Sequence, residues 1–387
     1  MEFFGYPRKD GSVGTRNHVG IISTVSCASD PANWITSRVA GCKSFTNRLQ
    51  CGLISPDKEM IYRTFINLGK NPNLAAVLVV APGCAAGADP VKVAEGIAES
   101  GKPVEVCRVH QEGGVTAAVA KGIDAVRKMA ADASQIKREP VPISKLRLGI
   151  KCGGSTPLSG IVTNAAQGTA LDFVIENGGS GGFGETPEVI GAEQVLAARA
   201  INERVKKEFI KVVTDFEKRL LSYPEINFFG SNPDQHNIAS GLSSIEEKSI
   251  GAIRKGGTTP LTEVVPYGCV AEGKGMFFVN SPGNDLMALT ALAAAGCTVM
   301  TYSTECCAPY GFPFVPVIKL TANKEHFRKF PDLLDYLVDI QKAVTDIKDV
   351  GRELFDLILR VASGKNTQSE LIGYTGTCDI WTTLPAT

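Results

Sequence analysis

The chain has 387 residues, and its 40 basic and 40 acidic side chains leave a formal net charge of zero. That balance excludes a nucleic-acid-binding arm and a polybasic membrane anchor. With 44% hydrophobic and 21% charged residues it is a globular chain and not a disordered one, long enough for roughly two domains of about 150 residues.

The longest apolar run, Ala75 to Ala81, falls far short of the roughly 20 residues needed to cross a bilayer, so no membrane span is expected. The opening Met-Glu-Phe-Phe-Gly-Tyr-Pro lacks the basic region, apolar stretch and cleavage site of a secretory leader. A cytoplasmic location is therefore expected. Eleven cysteines, an odd number over a long chain, do not form the framework of a small secreted domain and are expected to be mostly reduced.

Val19 to Val25 reads as a strand, followed by a short helix near 31–40 that opens at Asp30-Pro31. The pattern returns at Leu74 to Ala81 with a helix from Asp89-Pro90, and at Val104 to Val109 with a helix running to about Ala130. Strands alternating with helices predict parallel βα units. Residues 1–135 are thus expected to form a Rossmann-like α/β domain, and the charged, proline-bearing run 137–145 a connection.

A second, mixed α/β catalytic domain is expected over 146–387. It opens with a strand from Leu146 to Lys151 and a helix from Ser159 to Asn177. Gly178 to Gly184 reads as a turn or mobile loop, with Glu185 capping a long helix through about Arg219. Strands are expected over 276–280, 297–303 and 315–320, and helices near 284–295, 332–343 and 346–363.

Ligands of open parallel sheets bind outside the carboxyl ends of the strands. Those ends carry Ser26-Cys27, Gly83-Cys84, His110, Cys152-Gly153-Gly154-Ser155 and Glu305-Cys306-Cys307, with Cys51-Gly52 on a loop. Glycines there admit an anion to backbone N–H groups, and thiolates bind borderline metals. The cysteines lack zinc-ribbon spacing, so for Cys51, Cys152 and Cys306 close packing and metal binding stand about even. No G-x-G-x-x-G, P-loop or G-x-S-x-G motif is present, which lowers the standing of dinucleotide, nucleotide triphosphate and serine-hydrolase chemistry.

Collinear segments carry a resemblance: Gly5 to Asn17, Asn73 to Val80, Cys152 to Ser155 with Asn164, Glu185 to Glu193, Ile245 to Gly257, Pro316 to Lys319 and Val350 to Gly364. Together they resemble the altronate/galactarate dehydratase family, which also includes the large subunit of (2R)-sulfolactate sulfo-lyase. The resemblance implies a metal-assisted lyase that takes a proton from the carbon bearing the carboxylate and hydroxyl of a small 2-hydroxy acid and expels a β-substituent, leaving a 2-keto acid. It implies Fe²⁺ or Mn²⁺; an iron–sulfur cluster is an alternative that the cysteine spacing does not support.

On this reading Glu185 or Lys319 moves the proton, Arg16, Asn17, Ser155 and Asn164 bind the substrate anion, and Cys51, Cys152 and Cys306 lie near the metal. The chain departs from the family pattern at Asn47, Thr156, Asn232 to Asn237 and Glu305 to Cys307. A hydro-lyase for a sugar acid and a sulfo-lyase are both consistent with this, and a non-catalytic binding paralogue is the contrasting reading. The family's small N-terminal domain has no counterpart in the matching segments, which implies a separate small subunit; a homo-oligomer is also expected.

Overall fold

The protein is described here from a computed structural model that covers residues 1–49, 51–84, 87–375 and 378–383. In chain order its strands are β1 (Glu2–Pro7), β2 (Val13–Gly14), β3 (His18–Ser23), β4 (Cys42–Phe45), β5 (Leu74–Ala81), β6 (Val104–Arg108) and β7 (Glu139–Pro142). They continue with β8 (Arg147–Gly153), β9 (Ser180–Phe183), β10 (Leu261–Val265), β11 (Gly275–Val279), β12 (Val299–Thr304), β13 (Val317–Thr321) and β14 (Tyr336–Leu337).

Two parallel sheets dominate. The smaller has the order β4-β3-β5-β6 and the larger β10-β11-β9-β8-β12-β13-β14. This is the α/β architecture expected from the alternating strands and helices. Strand β5, Leu-Ala-Ala-Val-Leu-Val-Val-Ala, is buried at every position, as a strand covered on both faces must be.

Side-chain alternation sorts the interior into three layers. Val19, Ile21, Leu78 and Val80 pack under the helices Ser29–Thr36 and Val115–Ala133. Ile22, Val77 and Val79 face the other way and share a core with Phe277, Leu289, Met300, Tyr302 and Val317 of the large sheet and its helix Asp285–Ala294. The far face of the large sheet, including Leu148, Ile150 and Ile318, lies against the helices Asn164–Glu176 and Ile347–Ala362.

The structure departs from the expected elements in four places. The connecting run 137–145 holds β7, which pairs antiparallel with β1 in a third sheet of order β2-β1-β7. The glycine run 178–184 is no loop: it contains the buried strand β9. A Cβ on Gly182 would stand 2.0 Å from the Phe277 carbonyl oxygen and one on Gly181 2.5 Å from that of Leu148, so the glycines are there because the neighbouring strands leave no room for side chains.

The long helix expected after Glu185 is broken. A 3₁₀ turn at Thr186–Glu188 and a short helix Glu193–Ala197 precede Glu203–Leu221, which is capped by Asn202 accepting from the Val205 N–H. Between them Ala200 bridges to Leu261 at the start of β10. Over 332–343 the chain forms β14 before a helix at Ile340–Thr345, because residues 336–337 complete the edge of the large sheet beside β13. Among the described residues no helix is long and apolar enough to cross a membrane.

Candidate active site

Strand β8 is the first strand of the large sheet and sits at its centre, with β9 on one side and β12 on the other. Chain connections diverge from such a strand in both directions, opening a crevice at its carboxyl end. Into this crevice run Cys152-Gly153-Gly154-Ser155 from β8, Glu185 just beyond β9, and Glu305-Cys306-Cys307 from β12. A Cβ on Gly154 would lie 2.1 Å from the Cys306 sulfur. The β8 and β12 loops therefore meet only because residue 154 is glycine.

Two lysines clamp one carboxylate there. Lys151 Nζ lies 2.6 Å from Glu185 Oε1 and 2.7 Å from Asp285 Oδ1, while Lys255 Nζ lies 2.7 Å from Glu185 Oε2. Lys255 also donates to Cys152 Sγ at 2.8 Å, and Lys151 to the Cys152 carbonyl at 2.5 Å. The side chains of Lys151, Glu185 and Lys255 are 1%, 2% and 0% exposed, so all three are charges withdrawn from bulk water. Asp285, at 30%, is where the cluster meets solvent.

The clamp closes from both faces of the sheet. Lys151 projects into the layer shared with the small sheet, beside the Tyr302 ring at 5.1 Å. Lys255 comes from the opposite face, from the 3₁₀ turn Arg254–Gly256 that packs on the helix Asn164–Glu176, and stands 5.3 Å from the Phe183 ring. Glu185 reaches both because its backbone is left-handed, with φ 71° and ψ 66°. Such a conformation costs a non-glycine residue on the order of 1–3 kcal/mol and is typical of functional sites. Its N–H donates to Ser281 Oγ at 2.8 Å, which helps hold the strained residue.

Electrostatics follow from the burial. Desolvation opposes a charge on Lys151, but Glu185, Tyr302 and Asp285 outweigh it and hold the amine well above the ordinary lysine value. Lys255 likewise is raised, burial being overcome by Cys152 and Glu185. Burial pushes the Cys152 thiol up despite the pull of Lys255. The site is thus two ammonium groups beside carboxylates and a protonated thiol.

A cavity of about 150 Å³ adjoins this edge, lined by Ser155, Ser159, Asn164, Lys248 and Arg254 among others. Its wall includes the π turn Ser159–Thr163, a widened helical turn of a kind frequent at functional sites. A Cβ on Gly160 would lie 2.9 Å from the Gly251 Cα, so these two glycines let the turn and the helix Ile245–Ile253 touch.

The anticipated site residues separate into groups. Glu185, Cys152, Ser155, Asn164 and Cys306 do come to the crevice or its cavity. Glu185 is not the helix cap expected of it, since its side chain makes no capping bond. Asn164 is buried, accepting from Ser303 Oγ at 2.8 Å and donating to the Gly251 carbonyl at 3.0 Å. Cys306 lies 3.1 Å from His236 Nε2, which brings two departures from the family pattern into contact.

Arg16 and Asn17 are corrections to the expected substrate binders. All five guanidinium N–H bonds of Arg16 are used, two on Glu370 and three on the carbonyls of Thr15, Val361 and Lys365. Asn17 accepts from Arg8 and donates to the Ala133 carbonyl. Both precede β3, at the amino edge of the small sheet. Lys319 lies on β13, one strand beyond Tyr302, and its buried Nζ donates to the Pro309 carbonyl at 2.7 Å rather than to the cluster.

The cysteines expected near a metal, Cys51, Cys152 and Cys306, do not assemble as a donor set among the described residues. Among the described residues no three His, Cys, Asp or Glu side chains converge as a metal site. Cys152 is occupied by Lys255, Cys306 faces His236, and both oxygens of Glu185 are held by ammonium groups. The described residues therefore do not fit the metal that the resemblance implies. The same absence of a converging set applies to the iron–sulfur alternative.

Sequence reasoning missed Lys151, Lys255, Asp285 and Tyr302. Lys151 was visible as a charge closing the apolar run Leu-Gly-Ile within β8, which is the available signal for a buried paired lysine. Lys255 lay inside a segment already singled out, but only the fold brings it across to Cys152.

Comparison with known proteins agrees over nearly the whole chain. Residues 5–134 match the profile described as D-galactarate dehydratase/Altronate hydrolase, second domain, and residues 143–385 match D-galactarate/Altronate dehydratase, C-terminal. Altronate dehydratase of Bacillus subtilis (strain 168) is 33% identical over 382 residues, covering 95% of this chain and 75% of that protein. The (2R)-sulfolactate sulfo-lyase subunit beta of Chromohalobacter salexigens is 32% identical over 379 residues, covering 96% and 95%. Galactarate dehydratase (L-threo-forming) of Escherichia coli (strain K12) is 30% identical over 384 residues, covering 94% and 73%.

Proposed function

The chain belongs to the D-galactarate/altronate dehydratase family, and from that premise we propose that it is a lyase that expels water from a small sugar acid to give a 2-keto acid. The observation that carries this reading is the buried Lys151–Glu185–Lys255 clamp at the carboxyl edge of the large sheet. Removing the proton next to a carboxylate places a second negative charge on that group. Two fixed ammonium groups, both buried, are suited to holding it.

In the resting arrangement Glu185 stands in for the substrate carboxylate. A substrate anion that takes its place on one lysine frees a Glu185 oxygen to accept the α-proton. The proton passes from Glu185 to the departing β-hydroxyl, whose C–O bond breaks to release water, and the enol left behind tautomerises to the 2-keto acid; Asp285, partly exposed and bonded to Lys151, joins the cluster to solvent. Ser155, on the wall of the adjoining cavity, orients the substrate hydroxyls in this proposal, while Asn164 shapes that wall through its bonds to Ser303 and the Gly251 carbonyl. No step here is routed through a metal, because the described residues do not assemble a site for one.

A sulfo-lyase is the second reading. It is supported by the sulfo-lyase β subunit, which is about as similar to this chain as the altronate dehydratase, at 32% against 33% identity. On that reading a small partner subunit completes the enzyme, and self-association of this chain is part of either proposal. The test is anaerobic incubation with aldonates, aldarates and sulfolactate, with and without Fe²⁺ or Mn²⁺ and a candidate small subunit, following 2-keto acid and sulfite together. Keto acid alone supports the hydro-lyase, and keto acid with sulfite the sulfo-lyase. A folded sample giving neither on any substrate overturns both and returns the chain to a binding role.

A further inference from the structure

At the opposite, amino-terminal edge of the large sheet a cavity of about 340 Å³ opens between the two parallel sheets. Strand β8 begins there at Arg147 and ends at Gly153. At about 3.3 Å per residue its length sets roughly 20 Å between this cavity and the Lys–Glu–Lys clamp. The cavity is therefore separate from the candidate active site.

Its charge is one-sided. Lys70, Lys145, Arg147 and Lys274 line it, against the single carboxylate of Asp10. Lys70 is paired with Glu99 at 2.7 Å, and Asp10 accepts from the Ser12 N–H and hydroxyl. The other three cations have no carboxylate within ion-pair distance among the described residues. Lys145 Nζ donates to the Gly11 carbonyl at 2.9 Å, Lys274 Nζ to that of Ser144 at 2.5 Å, and Arg147 Nη1 to that of Ala295 at 2.9 Å.

A second observation concerns the wall. Thr298 is 1% exposed, lines the cavity, and has a buried hydroxyl with no hydrogen-bond partner. Buried hydroxyls are nearly always bonded in native proteins, and this one, like those of Thr24, Thr259 and Thr290 elsewhere, finds no partner within the protein. Burial, with Arg147 and Lys145 close by, pushes the Lys274 amine below its ordinary value. Val13, Leu146 and Val270 add an apolar surface.

We propose that this cavity is a binding site for a small organic phosphate. Arg147, Lys145 and Lys274 surround the phosphoryl group, Thr298 supplies a further hydrogen bond, and the carbon skeleton lies along the apolar wall. A phosphoryl dianion matches several separate donors, and the volume lies within the range of small-molecule sites, well above what one inorganic ion fills. The ligand touches Asn71 from the small-sheet side and Arg147 from the large one, so it bridges the two halves of the molecule.

The test is calorimetric titration of the whole chain with inorganic phosphate, AMP and glucose 6-phosphate. The expected result is 1:1 binding of at least one organic phosphate, at least about tenfold tighter than inorganic phosphate and weakened at least about tenfold in a Lys145→Met/Lys274→Met double variant. No binding at about 1 mM of any probe overturns the proposal, as does equal affinity for inorganic phosphate or unchanged affinity in the double variant. Arg147→Met is the third arm. If circular dichroism shows that it does not fold, the lysine pair decides, since neither lysine belongs to the strand interior. Binding is read without turnover, so failure of the lyase reading leaves this test intact.

Discussion

Glu185 is a left-handed, buried carboxylate whose two oxygens are each taken by a different lysine. Replacing it with Gln keeps the shape and removes the charge. Glu185→Gln is expected to lower 2-keto acid formation by about 10²–10⁴-fold, the usual range for a lost acid–base group, in a protein that remains folded by circular dichroism. Glu185→Ala should instead show itself in denaturant unfolding. It leaves two ammonium groups buried without their shared partner, at a cost of about 3–5 kcal/mol. Equal stability of the alanine variant and wild type would show that the clamp is not formed in solution.

Lys319 gives a pH prediction. Burial brings its amine down to about 8, against the partial pull of Asp335, Asp332 and Cys307. A value below the unfolded one, about 10.4, means that the native state prefers the neutral amine. The contribution of Lys319 to stability should therefore be greatest above the unfolded value and decline as pH falls from about 10.4 to about 8, by about 3 kcal/mol in all, with little further change below. Lys319→Met is expected to flatten urea-unfolding stability over that interval; an undiminished slope would assign it to another group.

At the scale of elements, the strands and helices with clear alternation or capping were readable. Asp89 caps Pro90–Ala98 as its Asp-Pro signal implied, accepting from the Val91 N–H. The misread segments share one cause: long-range packing overrode local composition. Gly178 to Gly184 has the composition of a turn, yet β9 is the strand that delivers Glu185, and its glycines answer to Leu148 and Phe277, which are distant in sequence. The site was half legible for the same reason. Cysteine and glycine at strand ends pointed to the right edge, but Asp285 reaches it from a stretch that carries no motif, and Lys255 from a matching segment whose place beside Cys152 only the fold reveals.

Gly182→Ala tests this account of β9. Added volume in a well-packed core usually costs about 1–3 kcal/mol, and here the obstruction is backbone oxygen at 2.0 Å, which a rotamer change cannot relieve. The variant is expected to lose at least that much stability in urea unfolding, and to lose activity through the displaced Glu185. The same substitution at exposed Gly41, where a Cβ meets nothing within 4 Å, is the control for the loss of glycine itself, although its positive φ of 82° adds a strain of its own.

The whole molecule reads in sequence as two α/β units, and two parallel sheets are present. What the sequence concealed is how far they share one interior. Ile22, Val77 and Val79 of the small sheet and Phe277, Tyr302 and Val317 of the large one belong to a single buried cluster. Contacts of this kind join residues more than 200 positions apart, and no local periodicity records them.

The seam between the sheets is also stitched by polar contacts. Strand β1 pairs with β7, Arg16 holds Glu370 with two hydrogen bonds, and Asn73 donates to the carbonyls of Thr298 and Phe314. Meanwhile the exposed turn at 134–137 takes no part in any sheet. Covalent continuity at that turn is thus not what keeps the halves in place. Two polypeptides, residues 1–135 and 136–387, co-expressed from separate reading frames, are expected to co-purify as a one-to-one pair with the activity of the intact chain, while either alone aggregates. The protein would behave as a heterodimer whose linker is dispensable.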